Sequence, residues 1–231
     1  MISARRLSVG AAGTSVINDV SIRVGAGECV GLSGVSGSGK TALLQALAGR
    51  VRPTAGSIHL DDDERPAEAS LLRRSVGYAA IEAMVGHGLR VDEYLRFVAQ
   101  VRASRQEVPT SVCTAAARRA GLDPSAAIAR LGPAQQSALA IAAAVVTPVR
   151  VVLIDAAVDA LAPAERARVM SWIVESRDGG VAMLVVSNDA AVQNALCHRV
   201  VRLARGVVAE ELHLTTAPVM TGPVAAEVSS P

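Results

Sequence analysis

Lysine is almost absent from this chain. Of its 23 basic residues a single one, Lys40, is lysine, and the others are arginine. Aromatic residues are nearly as scarce, at 2% of the total, so any core must be assembled from Ala, Val, Leu and Ile, which the 51% apolar content can supply. The three cysteines, Cys29, Cys113 and Cys197, are odd in number, far apart and without metal-ligand spacing. Cys197-His198 is an adjacent pair, but no second Cys/His cluster accompanies it. The cysteines therefore read as small apolar residues of a reducing compartment. Concentrated charge is missing too. The net charge is +2 with arginines scattered along the chain, which excludes the electrostatic footprint of a nucleic-acid-binding protein. The longest apolar stretch, Ser137 to Ile154, is interrupted by Pro148 and Arg150 and does not make a membrane span. Arg5-Arg6 before Leu7-Ser8-Val9 has the look of a twin-arginine start, yet Asn18-Asp19 and Arg23 break the apolar segment an export signal needs. The expectation is a soluble chain, with no direct membrane insertion, that meets a membrane only through a partner.

What is present starts with the lone lysine. It falls in Gly34-Val35-Ser36-Gly37-Ser38-Gly39-Lys40-Thr41, a full match to G-x-x-x-x-G-K-[ST]. Glycines let the backbone curl so that successive N–H groups face one phosphate, and the start of the following helix adds partial positive charge. A slim ammonium reaches the β/γ-phosphates as a point charge where a planar guanidinium would fit badly, and the Thr41 hydroxyl is placed to ligate Mg²⁺. Gly34, Ser36, Gly37, Ser38, Gly39, Lys40 and Thr41 are thus the candidate nucleotide-binding residues, with ATP and Mg²⁺ as the expected ligands. The context is right: the apolar run Glu28–Ser33 predicts a buried strand before the loop, and Thr41–Gly49 predicts a helix with a glycine stop.

The 231 residues accommodate one domain, or one domain with an inserted subdomain. Residues from Leu7 to Val24 alternate as short strand-like pieces around Gly13-Thr14 and Asn18-Asp19, which predicts a hairpin edge. Strands are expected at Ser57–Leu60 and Ser75–Ala80, with Asp61-Asp62-Asp63 as a solvated loop. From about 82 to 148 the pattern is helical, broken at Pro109, at Gly121-Leu122-Asp123-Pro124 and at Gly132-Pro133. Val149–Asp155 predicts a buried strand ending in a carboxylate. A helix follows Pro163, then strands at Val181–Val186, Arg199–Leu203 and Val207–Glu210. Residues 213–231, rich in Pro, Thr, Ser and Ala, are expected to be a disordered tail. No internal repeat is visible.

Strand, phosphate loop, helical insertion and a strand ending in Asp155 together resemble the ATP-binding cassette (ABC) subunits of ABC transporters, over roughly Leu7 to Leu212. The resemblance implies an α/β P-loop NTPase fold of the ABC type, with an N-terminal antiparallel β subdomain and an inserted α-helical subdomain in one domain, 1–212. Val151-Val152-Leu153-Ile154-Asp155 matches that family's Walker B strand, which implies that Asp155 holds Mg²⁺. Leu131-Gly132-Pro133-Ala134-Gln135-Gln136 stands where the family keeps L-S-G-G-Q, and the stretch ending at Asp189 resembles the switch loop that normally reads T-H-D.

Departures from that pattern are as informative as the matches. Ala156 occupies the place of the glutamate that polarises the attacking water, a loss of positioned base that costs about 10²–10⁴-fold in rate. Asn188 stands at the switch histidine and Ile81 at the glutamine-loop position, with Glu82 beside it. Ala11 replaces the adenine-stacking aromatic, forfeiting roughly 1–3 kcal/mol. Gly132 lacks the signature serine hydroxyl, and Pro133 removes an N–H from a helix start that tolerates proline. Ala162 stands at the D-loop aspartate, with Asp159 three positions earlier.

The resemblance then implies an ATP-binding subunit with weak or absent hydrolysis of its own and no identifiable catalytic residue. It would pair with a competent second cassette and a membrane permease, and sit peripherally on the cytoplasmic face of the cell membrane. Two alternatives stand beside it: a homodimeric, slowly hydrolysing transporter ATPase, and a non-transport ABC protein acting as a regulatory or assembly subunit. For the latter, Asp189-Ala190-Ala191-Val192-Gln193-Asn194 resembles the ABC-type subunit of carbon–phosphorus lyase systems. A guanine-reading N-K-x-D is excluded by the single lysine, and the long insertion does not suit a compact small-molecule kinase.

Overall fold

The computed structural model describes residues 1–11, 14–61, 63–81, 88–103 and 107–214. Glu82, Asp62, Gly13 and the tail from Thr215 lie outside them. Strands β1 (Ile2–Ala11) and β2 (Thr14–Val24) run antiparallel, and β4 (Ala55–Leu60) pairs with the other edge of β1. Simple alternation would put Ile2 and Ala4 on the opposite face from Leu7 and Val9. All four are nevertheless buried, because the register shifts between Ala4 and Leu7, where Arg6 has φ 49°. β2 makes a matching slip at Asp19, φ 53°, which turns both Ile17 and Val20 inward. Arg6 Nε donates to Asp19 Oδ1 at 3.1 Å across the paired bulges. Asn18-Asp19, expected as a break in the hairpin, is therefore a bulge inside a longer strand, and β1 begins at Ile2 rather than Leu7.

The second sheet holds β3 (Cys29–Ser33), β5 (Val76–Ala79), β6 (Val151–Asp155), β7 (Ala182–Val186), β8 (Arg199–Ala204) and β9 (Val207–His213), in the order β5-β6-β7-β3-β8-β9. The first five in that order are parallel, and only β9 is antiparallel. Parallel sheets are covered on both faces, so their strands read as continuous apolar runs. Here Val151 and Leu153 join a core with Leu43 and Leu44 of α1 (Lys40–Leu47), while Val152 and Ile154 join the core built by the helical insertion. β9 takes in His213, and Leu214 N–H is bonded to His198 O, so these two residues, expected in the tail, are tied to the sheet.

The remaining helices are α2 (Ala69–Ser75), α3 (Val91–Ala103), α4 (Thr110–Arg119), α5 (Pro133–Val145), α6 (Pro163–Asp178) and α7 (Ala190–Leu196). Pro109, Gly121 and Gly132-Pro133 separate α3, α4 and α5 as their chemistry predicts. α2 and α7 were not legible, being too short for a helical period to register. Asp61, expected in a solvated loop, is ion-paired with Arg150.

Scarcity of aromatics is answered by close approach. Ala138, Ala140, Ala142, Ala143 and Ala144 of α5 are all buried, and the helix lies so near β5 that a Cβ on Gly77 would stand 2.0 Å from Ala144 O. Half-buried Arg102 fastens the same helix end, its guanidinium donating to Ala143 O at 2.6 Å and Ala144 O at 3.0 Å. Desolvation pulls that guanidinium down to about 10, still charged at neutral pH. Because the obstacle at Gly77 is backbone, Gly77→Ala should destabilise by about 1–3 kcal/mol. For a chain of this size the thermal midpoint should drop by roughly 2–12 °C, measurable by calorimetry or circular dichroism.

Candidate nucleotide site

The loop 34–41 joins β3 to α1, and its glycines are required individually. Gly34, Gly37 and Gly39 have φ 142°, 76° and 103°. A Cβ on Gly34 would lie 2.3 Å from Leu203 O, and one on Gly39 2.6 Å from Ile17 Cδ1. The antiparallel sheet thus presses directly on the loop, as does the β8–β9 turn, where Gly206 N–H donates to Ser38 O at 3.1 Å and Asn18 N–H to Gly206 O at 2.8 Å. Lys40 opens α1, and its ammonium donates to Gly34 O at 2.8 Å, Val35 O at 2.9 Å and Ser38 Oγ at 3.2 Å. Ser38 is buried, whereas Ser36, Gly37 and Thr41 face outward.

Parallel register brings the rest of the site alongside. Val186 of β7 is paired with Leu32 of β3 on one side and Asp155 of β6 on the other. The ends of three adjacent strands therefore present the phosphate loop, the residues after Val186 and Asp155 at one sheet edge, where ligands of open α/β sheets bind. An ammonium, glycine N–H groups and a helix start suit a triphosphate. The Thr41 hydroxyl and the Asp155 carboxylate are hard oxygen donors suited to Mg²⁺. The neighbouring strand adds a contact unseen in the sequence: Tyr78 Oη donates to Asp155 Oδ2 at 3.1 Å, and the Arg50 guanidinium sits 4.8 Å from the Tyr78 ring centroid. The pairing of β5 with β6 brings Tyr78 beside the strand that ends in Asp155.

Ala156 follows Asp155 with its methyl exposed and φ 53°, a left-handed conformation costing an L-residue about 1–2 kcal/mol. Its N–H is tied to Val186 O at 3.2 Å. Ile81, half-buried, follows β5 closely, and Ala11 is the last residue of β1. Gly132 caps α5 with Pro133 in its first turn, so the helix start persists. Both signature glutamines are engaged in shaping it: Gln135 Oε1 accepts Gly132 N–H at 3.1 Å, and Gln136 Nε2 donates to Leu131 O at 3.0 Å. Ala162 caps α6 without a side-chain bond. Asp159, passed over for its spacing, instead bonds the loop after β7, with Ser187 Oγ donating to its Oδ1 at 2.5 Å and Asn188 N–H to its Oδ2 at 3.2 Å. No sequence signal could find that contact, which spans 28 residues.

Known proteins are similar to this chain in sequence and fold. The family model described as ABC transporter matches residues 17–159. The methionine import ATP-binding protein MetN of Caulobacter vibrioides is 31% identical over 212 residues, covering 86% of this chain and 62% of its own length. The sulfate/thiosulfate import ATP-binding protein CysA of Mesorhizobium japonicum is 29% identical over 198 residues, 82% of this chain and 57% of its own. The chain thus spans less than two thirds of these two relatives. The lipopolysaccharide export system ATP-binding protein LptB of Escherichia coli is 29% identical over 215 residues, 89% of this chain and 87% of its own. Among solved structures, a dimeric ATP-binding cassette in a post-hydrolysis state, bound to ADP and Pi, superposes with TM-score 0.82 at 21% identity, covering 93% of this chain and 99% of that one.

Two glycines of the loop separate its geometry from its packing. A Cβ on Gly37 would meet nothing within 4 Å, whereas one on Gly39 collides with β2. Gly39→Ala should cost about 1–3 kcal/mol more stability than Gly37→Ala, read as the difference in urea midpoints.

Proposed function

The chain belongs to the ABC transporter ATP-binding family, and on that premise we propose that it is a nucleotide-holding subunit of a transport complex. It binds MgATP on residues 34–41 and, alone, turns it over weakly or not at all. The observation that carries this reading is the pairing of a complete phosphate loop with Ala156. A methyl group neither accepts a proton nor orients water, and Asn188 and Ile81 supply no titratable group in its stead. Lys40 would neutralise phosphate charge, and Thr41 and Asp155 would hold Mg²⁺, which would supply further positive charge against the phosphates. The chain's own residues thereby favour retention of a triphosphate over its cleavage. A second cassette would supply an intact signature to this site.

A permease partner also finds support. A cleft of about 560 Å³ between α2, β5, α3 and the residues just after α1 is lined by Tyr78, Tyr94, Phe97, Val101 and the guanidinium-bearing Arg50 and Arg102. Phe97, the single phenylalanine of the chain, and Val101, one helical turn on, are 51% and 62% exposed. Among the described residues no helix is long and apolar enough to cross a membrane, so attachment to the cytoplasmic face would run through such a partner. The relatives named above serve both import and export, so the cassette fold is common to both directions. The alternative of a soluble assembly subunit leans on residues 189–194, which here form the start of α7 capped by Asp189, a use common to many helices.

Equilibrium binding of MgATP to the full chain should be readily measured and abolished in Lys40→Ala, with turnover near background in the unmodified protein. Ala156→Glu should raise turnover only where Ile81, Asn188 and the signature do not limit independently. Rapid multiple turnover by the unmodified chain alone would overturn the reading. Phe97→Asp should leave MgATP binding intact but abolish co-purification with an integral membrane partner. Recovery of an unaltered, purely soluble complex would favour the assembly-subunit alternative.

A further inference from the structure

We propose that Asp159 is a positioning residue for the phosphate end of this site, holding Asn188 between the phosphate loop and Asp155. The inference rests on the MgATP reading above and deepens it. Because β7 lies between β3 and β6, the chain leaving Val186 must emerge between the phosphate loop and Asp155. A residue two positions past a strand end is not fixed by the sheet, and other contacts have to hold it.

They do so on every side. Asp159 takes Ser187 Oγ–H on one carboxylate oxygen and Asn188 N–H on the other, at 2.5 and 3.2 Å. Ser187, 1% exposed, accepts Asp189 N–H on the same Oγ at 3.1 Å, and its carbonyl accepts Gln193 Nε2 at 2.6 Å. Arg166 ties the two sides together, donating to Asp189 Oδ2 at 2.9 Å and to Asp159 O at 3.2 Å. Asp159 N–H in turn donates to Ala156 O at 3.2 Å, so the clamp begins at the residue that follows Asp155. With the main chain of 187–189 fixed, Asn188 remains exposed, and its amide can donate to an oxygen lying between the two neighbouring loops. Asp159 acts through Asn188 and does not touch the reacting atoms.

A loop fastening and a positioning residue differ in one readout. Loss of a mere fastening weakens the fold and both nucleotides alike. Loss of a residue that aims Asn188 at the terminal phosphate weakens the triphosphate selectively. Dissociation constants for MgATP and MgADP should be measured by titration calorimetry on the full chain, Asp159→Ala, Asp159→Asn and Asn188→Ala. Asp159→Ala should weaken MgATP about 10-fold, the scale of one hydrogen bond to a charged group, and leave MgADP within about twofold. Asn188→Ala should show the same selectivity loss, and the double variant no further loss. Asp159→Asn keeps an acceptor for Asn188 N–H and should retain most of the discrimination. If Asp159→Ala fails to fold, Ser187→Ala removes one arm of the clamp and should shift the ATP-to-ADP ratio in the same direction. An unchanged ratio in a folded variant overturns the positioning role alone. Absence of MgATP binding by the unmodified chain overturns the functional reading and the proposal together.

Discussion

The candidate site depends on one constraint, the parallel register that sets Leu32, Val186 and Asp155 side by side. A slip of one residue would turn every side chain of a strand to the other face. Slippage is opposed from both faces, since Val152 and Ile154 are committed to one core and Val151 and Leu153 to the other. That register carries the phosphate loop, the switch turn and Asp155 to a single edge before any ligand contact is considered. The antiparallel sheet then fixes the loop from above through the Ile17–Gly39 approach, and the β8–β9 turn holds it through Gly206.

Residues whose chemistry is local were legible in the sequence. The glycines, Lys40 and Thr41 form a contiguous motif, and Asp155 is marked by the apolar strand it ends. Ala156 needed only that anchor. The antiparallel subdomain and helical insertion followed from strand alternation and from Pro109, Gly121 and Gly132-Pro133. What escaped is what tertiary pairing creates. The bulges at Arg6 and Asp19 reverse the alternation that a sequence reading relies on, so Asn18-Asp19 passed for a break. Tyr78 looks like any strand aromatic until β5 pairs with β6. Asp159 was weighed against a linear spacing, whereas its partners lie on a different strand end.

The chemical character of the site follows from these placements. Lys40 supplies a positive charge, Thr41 and Asp155 offer oxygen donors suited to a hard cation, and the residue beside Asp155 combines a left-handed backbone with a methyl side chain. Strain of this kind persists where surrounding structure over-determines it, and here Ala156 N–H is held by Val186 O and its carbonyl by Asp159 N–H. On the function proposed above, such a site would keep a nucleotide in place for a complex whose other members do the chemical work.

The fate of the terminal phosphate tests this most directly. The full chain would be incubated with Mg²⁺ and ATP labelled at the γ-phosphate, freed of unbound nucleotide, held at working temperature and then denatured to recover what it carried. Intact labelled ATP recovered from the protein is the expected result. Quantitative conversion to ADP with released phosphate would contradict a site that grips without cutting.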